Sequence, residues 1–372
     1  MTNLSHTLLY TSLTKNCSNW ITNARKQLSC ATELEWRNTI GTLALHRLLP
    51  LVFYSLQDQN LTDTVPPPYL VQMQTAYRHT RKKNTILLLT LDGILQAMAK
   101  RGLNPVLWKG VVLADNFYPD LGTRLMEDID FAIPVEEMEA ATEVFQSLGF
   151  KVQPEAETSD AIYFANKMGV VCDVHHRVRL FEGQESINLI THLQPKHMKV
   201  PTMPVLEPNA MVVHLIVHMD GHRHETGPML CWILDLAFVL RKWGTLIKPE
   251  YIEKLMPAKE NLVSLFRIVR FLEQEFDQQL PACLTQGAKN FEPLTLAEIF
   301  RQRRLALWGL PRPNGWLRLG ASQLGFQLLH RRPKLQIDDL LLLPLDTLRN
   351  LRIYNRLIPI KKYHLNQAKA GR

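Results

Sequence analysis

Apolar residues recur at helical spacing over most of the chain, and the pattern changes character between about Leu103 and Leu180. From Glu33 onward, Trp36, Ile40, Leu43 and Leu45 fall near a 3.6-residue period. Pro66-Pro67-Pro68 interrupts that pattern; it resumes from Tyr69 and ends near Gly102. The middle stretch is shorter in rhythm. Asn104 to Lys109 reads as a buried strand, Gly110 opens a short helix through Phe117, and Glu127 to Ile133 is a second strand. Val135 to Leu148 is an amphipathic helix with Met138, Ala141, Val144, Phe145 and Leu148 on one stripe and Gly149 as its cap. Ala161 to Ala165 and Val170 to Val178 form a hairpin around Asn166 to Gly169. Helical spacing returns from Asn209 to about Phe276. Beyond Arg301 it survives only in patches, punctuated by Pro311, Pro313, Pro333, Pro344 and Pro359. The expected class is α+β: a helical region (1–102), an α/β core (103–205), a helical domain (206–300) and a basic, mainly helical segment (301–372).

Charge sharpens this division. The last segment carries 15 Lys and Arg against three acids, a net +12, whereas the first 300 residues carry 28 basic and 32 acidic side chains, a net −4. A basic segment on a mildly acidic body suits an anionic partner, RNA among them, and equally a solvated basic surface. No apolar run approaches the roughly 20 residues that cross a bilayer. The start, Met-Thr-Asn-Leu-Ser-His, lacks the features of a signal peptide. Cys17, Cys30, Cys172, Cys231 and Cys283 are odd in number and widely spaced, which argues against a disulfide framework and a zinc site and fits a reducing cytoplasm.

One chemical oddity lies inside the strand pattern. Asp128 and Asp130 stand one residue apart in Arg124-Leu-Met-Glu-Asp-Ile-Asp-Phe-Ala-Ile-Pro, so on a strand they share a face and repel unless a cation lies between them. Asp173, in Val170-Val-Cys-Asp-Val-His-His, belongs to a strand expected to pair beside it. Three carboxylates on adjacent strands can hold two Mg²⁺ ions (or Mn²⁺) together with a substrate's phosphates. Lys109-Gly110 stands at a strand-to-helix junction, where backbone N–H groups can meet phosphate and Lys109 or Arg124 can pair with its oxygens.

Trp108-Lys-Gly-Val-Val-Leu, Tyr118-Pro, Arg124, Asp128-Ile-Asp-Phe-Ala-Ile and Asp173-Val-His-His together resemble the nucleotidyltransferase-like family of the DNA polymerase β superfamily. The resemblance extends over about Glu33 to Leu240, taking in Ala44-Leu-His-Arg-Leu-Leu-Pro upstream and His218, His222 and Cys231-Trp-Ile-Leu-Asp235 downstream. It implies a mixed sheet flanked by helices, with Asp128 and Asp130 binding metal and Asp173 acting as third ligand and hydroxyl activator. It further implies transfer of a nucleoside monophosphate from an NTP to a hydroxyl acceptor, with release of pyrophosphate. The acceptor would be a small molecule, peptide or protein; an RNA end, or a non-catalytic binding role on the same fold, are the alternatives. The family usually carries Gly-Ser or Gly-Gly where this chain has Lys109-Gly110-Val111, so the serine contact to phosphate is missing and Lys109 stands in its place.

Other residues carry two readings each. His175 shares the face of Asp173 and is assigned to nucleotide or metal, with a buried imidazole as the alternative. His218 and His222 lie one helical turn apart, but with His224 they do not complete a zinc ligand set. Asp235, within an apolar helix, either pairs with another element or reaches the catalytic region. Trp108 is core packing or a base-stacking surface.

Overall fold

A computed structural model describes residues 3–14, 18–153, 160–176 and 189–308. Five helices precede the sheet: α1 (Asn3–Leu13), α2 (Ser18–Cys30), α3 (Glu33–Leu45), α4 (Leu49–Asp58) and α5 (Pro67–Ala99). The proline run does not break a helix but starts one: Pro66 caps α5, and Pro67 and Pro68 fill its first turn, where missing N–H groups cost nothing. Then follow β1 (Val106–Leu107), α6 (Lys109–Val112), a π-helical turn (Leu113–Phe117), β2 (Ile129–Ala132), α7 (Met138–Ser147), β3 (Lys151–Val152), β4 (Ala161–Ala165), β5 (Val171–His175), β6 (Ile190–Leu193) and β7 (Met203–Leu206). Helices α8 (Pro208–Thr226), α9 (Leu230–Trp243), α10 (Pro249–Leu255), α11 (Lys259–Phe276), α12 (Ala282–Ala288) and α13 (Leu296–Trp308) close the described chain. The fold is α+β.

The seven strands form one mixed sheet in the order β3-β4-β5-β2-β1-β7-β6. β2 runs antiparallel to β1 and parallel to β5, and β1 runs parallel to β7. The expected hairpin is present as β4 and β5. Its turn is held by Asn166, whose Oδ1 accepts from the N–H groups of Met168 and Val170, and Gly169 supplies the left-handed residue (φ 79°). Residue Val178, at the far end of the expected second strand, lies outside the described residues.

Register divides the sheet into two chemically distinct faces. Ile129 stands opposite Cys172 and Phe131 opposite Val174, and all four are buried. Phe131 stacks on Phe145 of α7 with centroids 5.9 Å apart, and Phe145 stacks on Phe164 of β4 at 4.2 Å. This covered face contributes roughly 1.5–3 kcal/mol for each large side chain removed from water. The alternate residues, Asp130 opposite Asp173 and Ala132 opposite His175, point to the other face.

Buried polar side chains fasten the connections around that second face. Asn84 of α5 donates from Nδ2 to the carbonyls of Leu121 (2.7 Å) and Arg124 (2.6 Å), and its Oδ1 accepts from the Met126 N–H (3.1 Å). One side chain thereby fixes the whole approach to β2. Asp92 accepts from the N–H groups of Lys199 and Val200, and Asp115 from those of Lys196 and His197, which sets the path into β7. None of these anchors has a periodicity that reveals it in sequence. Among the described residues, no single helix is long and apolar enough to cross a membrane. The α3–α4 pair passes that test only when joined, and it is bent by 119°.

Replacing Asn84 with Ala leaves two carbonyls and one N–H without their partner. Urea unfolding should register a loss of about 3 kcal/mol, on the scale of 1–3 kcal/mol for each buried polar group left unsatisfied. A change within 0.5 kcal/mol, or about the noise of a surface substitution, would contradict the anchoring role.

Candidate functional site

The parallel pairing of β2 and β5 brings two carboxylates face to face. Asp130 (5% exposed) stands in register with Asp173 (7% exposed), and Tyr163 of β4 stands opposite Asp173 on its other side. His175 Nε2 lies 3.3 Å from Asp173 Oδ1. The donor atoms of Asp130, Asp173 and His175 all lie within 4.8 Å of one another, the one such group of His, Cys, Asp and Glu among the described residues. Asp128 falls in the bend just before β2 rather than in the strand, and it stands outside that group. Its charge still acts on Lys109 and on Tyr163.

Like charges this close and this buried require a cation, and Lys109 supplies one. Its Nζ donates to Asp130 Oδ1 at 3.1 Å, with side chains 15% and 8% exposed. Burial works against the ammonium, but the charges of Asp130, Asp173 and Asp128 outweigh it and hold its pKa above the usual lysine value. The backbone is bent to deliver it: Lys109 occupies the left-handed region (φ 51°), a conformation costing a non-glycine residue on the order of 1–3 kcal/mol. Tyr163 is held protonated, its pKa raised first by burial and then by Asp173.

Gly110 serves a purpose other than turning the chain. A Cβ there would come within 3.1 Å of Arg124 Nη1, so the missing side chain makes room for the guanidinium. α6 itself is a single turn, too short to add much dipole. Arg124 donates from Nε and Nη2 to Asp235 Oδ1 and Oδ2 of α9 at 2.7 and 2.8 Å, a bidentate pair. Tyr118 donates its hydroxyl to the same Asp235 at 2.8 Å. Asp235 therefore pairs with another element, and that element is the core. Burial and Asp235 together push the Tyr118 pKa up, and Asp235 holds Arg124 firmly charged against the opposing effect of burial. Only Nη1 of Arg124 faces the Lys109-Gly110 turn.

The remaining candidates fall in two places. Trp108 is 1% exposed and packs edge-on against His175 (5.2 Å) and parallel to His214 of α8 (5.0 Å), so it belongs to the core. His214, which sequence reading passed over, heads a file with His218 and His222 at four-residue spacing; ring centroids are 6.2 and 4.7 Å apart. The i, i+4, i+8 spacing was the available signal. Burial, then the charge of Lys109, lowers the pKa of His214 and His218 well below the usual value, so these two imidazoles are neutral. The side chain of His224 and residues 309–372, which hold most of the basic segment, lie outside the described residues.

The donor set fits a divalent cation. Hard carboxylate oxygens converge from adjacent strands, and an ammonium group is already drawn in among them.

The sequence from residue 32 to residue 274 matches the family described as uncharacterised nucleotidyltransferase. No curated protein matches the chain. Among solved structures, that of ANT(2″)-Ia in complex with adenylyl-2″-tobramycin is 16% identical with a TM-score of 0.35, covering 45% of this chain and 93% of that one. The solution structure of the antibiotic-resistance factor ANT(2″)-Ia is 16% identical with a TM-score of 0.38, covering 49% and 95%. An antigenic nucleotidyltransferase-like protein from Paracoccidioides brasiliensis is 13% identical with a TM-score of 0.35, covering 54% and 97%.

Breaking the Arg124–Asp235 pair should be far costlier than replacing it. Arg124→Met or Asp235→Leu alone should each lose about 3–5 kcal/mol, because each strands a buried partner, while the double variant regains at least half of the summed loss. Denaturant midpoints of the four proteins check this. Additive losses would show that the two side chains do not depend on each other.

Proposed function

The chain belongs to the uncharacterised nucleotidyltransferase family, and on that premise we propose that it moves a nucleoside monophosphate from an NTP to a hydroxyl acceptor, releasing pyrophosphate. The observation that carries this reading is Asp130 in register with Asp173, with the Lys109 ammonium against them. Asp130 and Asp173, with Asp128 beside the entry to β2, would hold Mg²⁺ or Mn²⁺. When bound there, a divalent cation neutralises charge on the triphosphate and makes the acceptor hydroxyl more acidic.

The residues of the chain do the rest. Asp173 takes the proton of the acceptor hydroxyl. The oxygen then forms a bond to the α-phosphorus as the bond from that phosphorus to the bridging oxygen of the β-phosphate breaks, and pyrophosphate leaves with the electron pair. Lys109, whose Nζ lies against Asp130, would pair with phosphate oxygens of the nucleotide and so stand in for the superfamily's serine. Gly110 leaves space for phosphate and for Arg124, whose Nη1 is the nitrogen directed to this turn. His175, its Nε2 3.3 Å from Asp173 Oδ1, stands where it can reach nucleotide or metal.

The acceptor is a small molecule, peptide or protein bearing a hydroxyl, selected by the flanking helices. The helical regions 1–102 and 206–300 flank the core 103–205, which would carry the chemistry, and 301–372 would attract an anionic partner. The net +12 of the last segment favours an anionic acceptor, and an RNA end is the second reading. A cytoplasmic setting belongs to this proposal, supported by Cys30, Cys231 and Cys283, which form no disulfide.

Two labels separate this chemistry from its neighbours. With α-³²P-labelled NTPs and acceptor fractions of small molecules, peptides and RNA, label should appear in acceptor, and with γ-³²P-labelled NTPs it should appear in pyrophosphate. Asp130→Asn and Asp173→Asn should each lower α-label transfer on the order of 10³-fold, the scale of lost charge stabilisation at a reacting group. Transfer of γ-label to acceptor, or α-label transfer undiminished in both variants, would refute the reading.

A further inference from the structure

The third member of the converging group is not an acid. His175 follows Asp173 by two residues, so both side chains stand on the polar face of β5. The neighbours across both flanking strands are small: Ala132 of β2 and Ala161 of β4 are the register partners of His175. Two methyl groups leave the imidazole room to lean along the strand toward Asp173, and its Nε2 arrives 3.3 Å from Asp173 Oδ1. Trp108 packs edge-on against the ring at 5.2 Å and is itself backed by His214, so the imidazole is held in place by core side chains. Only about a quarter of the His175 side chain remains exposed.

From this arrangement, and resting on the nucleotidyl-transfer reading above, we propose that His175 is a ligand of the divalent cation held by Asp130 and Asp173, and that the site consequently selects Mn²⁺ over Mg²⁺. The reason lies in the donors. Mg²⁺ favours oxygen ligands and keeps its waters, whereas imidazole nitrogen suits first-row transition ions, for which an N/O site binds more tightly. An all-carboxylate triad provides no such discrimination. Here the third strong donor on the shared face is nitrogen, while Asp128, the acid that would complete an all-oxygen set, stands outside the converging group. Tyr163 is the register partner of Asp173 on β4, and Trp108 packs edge-on against His175, so each proposed ligand has a large side chain beside it.

The test uses the full-length protein without nucleotide, titrated with Mn²⁺ alone while free Mn²⁺ is followed by electron paramagnetic resonance, then with Mg²⁺ as competitor. The wild type should bind Mn²⁺ at least tenfold more tightly than Mg²⁺. His175→Gln should weaken Mn²⁺ tenfold or more and Mg²⁺ by less than twofold, so the preference collapses. Electron spin-echo envelope modulation of the wild-type Mn²⁺ complex should contain a directly coupled imidazole ¹⁴N, a readout that needs no variant to fold. An unchanged Mn²⁺ to Mg²⁺ ratio in His175→Gln, the absence of ¹⁴N coupling, or no Mn²⁺ binding by the wild type would each overturn the inference. The nucleotidyl-transfer reading stands or falls separately, on whether α-label reaches an acceptor.

Discussion

The contact on which the site depends is the one between the Lys109 ammonium and the Asp130 carboxylate. Parallel pairing of β2 with β5 forces Asp130 against Asp173 on a face that water scarcely reaches. Two unneutralised carboxylates there would oppose the strand pairing that creates them. A lysine placed by a left-handed turn immediately after β1 relieves this, at the expense of backbone strain. Such a neutraliser is exchangeable in principle, because an ammonium on a long side chain can withdraw when a stronger cation enters. Under the proposed function, the residue that neutralises Asp130 in the free protein is the one that would pair with phosphate.

Around this pair, buried polar contacts tie the neighbouring elements together. The bidentate Arg124–Asp235 contact joins the turn before β2 to α9, and Tyr118 closes the network. Asn84 fixes the same turn from α5. The opposite face of β2 is sealed by the Phe131–Phe145–Phe164 stack. A site built on strands fastened from both sides holds its carboxylates in register, and Lys109 reaches them from the turn after β1.

Much of this was legible in the sequence, for reasons that differ by element. Strand alternation correctly separated Asp130 from Ile129 and Phe131, and the Asn166–Gly169 turn announced the β4–β5 hairpin. The expected pairing of the Asp173 strand beside the Asp130 strand is present as β5 and β2. Asp128 was assigned to the strand, but the chain bends before Ile129, because pairing with β5 begins only there. The strands β3, β6 and β7 escaped notice, and α1 and α2 were covered only by the general expectation of a helical region over 1–102. The strands are two to four residues long, too short for alternation to show. The roles of Tyr163 and Asn84 depend on contacts across the fold, to which spacing along the chain is blind, whereas His214 could have been found from its four-residue spacing to His218 and His222. Gly110 was anticipated as a phosphate turn, whereas its bare Cα also clears space for a guanidinium from residue 124.

The most direct test of cation exchange at Asp130 is a crystal structure of the protein with Mn²⁺ and the α,β-methylene analogues of the four NTPs. The account predicts a cation touching Asp130 and Asp173, with Lys109 Nζ withdrawn from Asp130 and against the phosphates. Nucleotide bound elsewhere, with the Lys109–Asp130 contact intact, would contradict it.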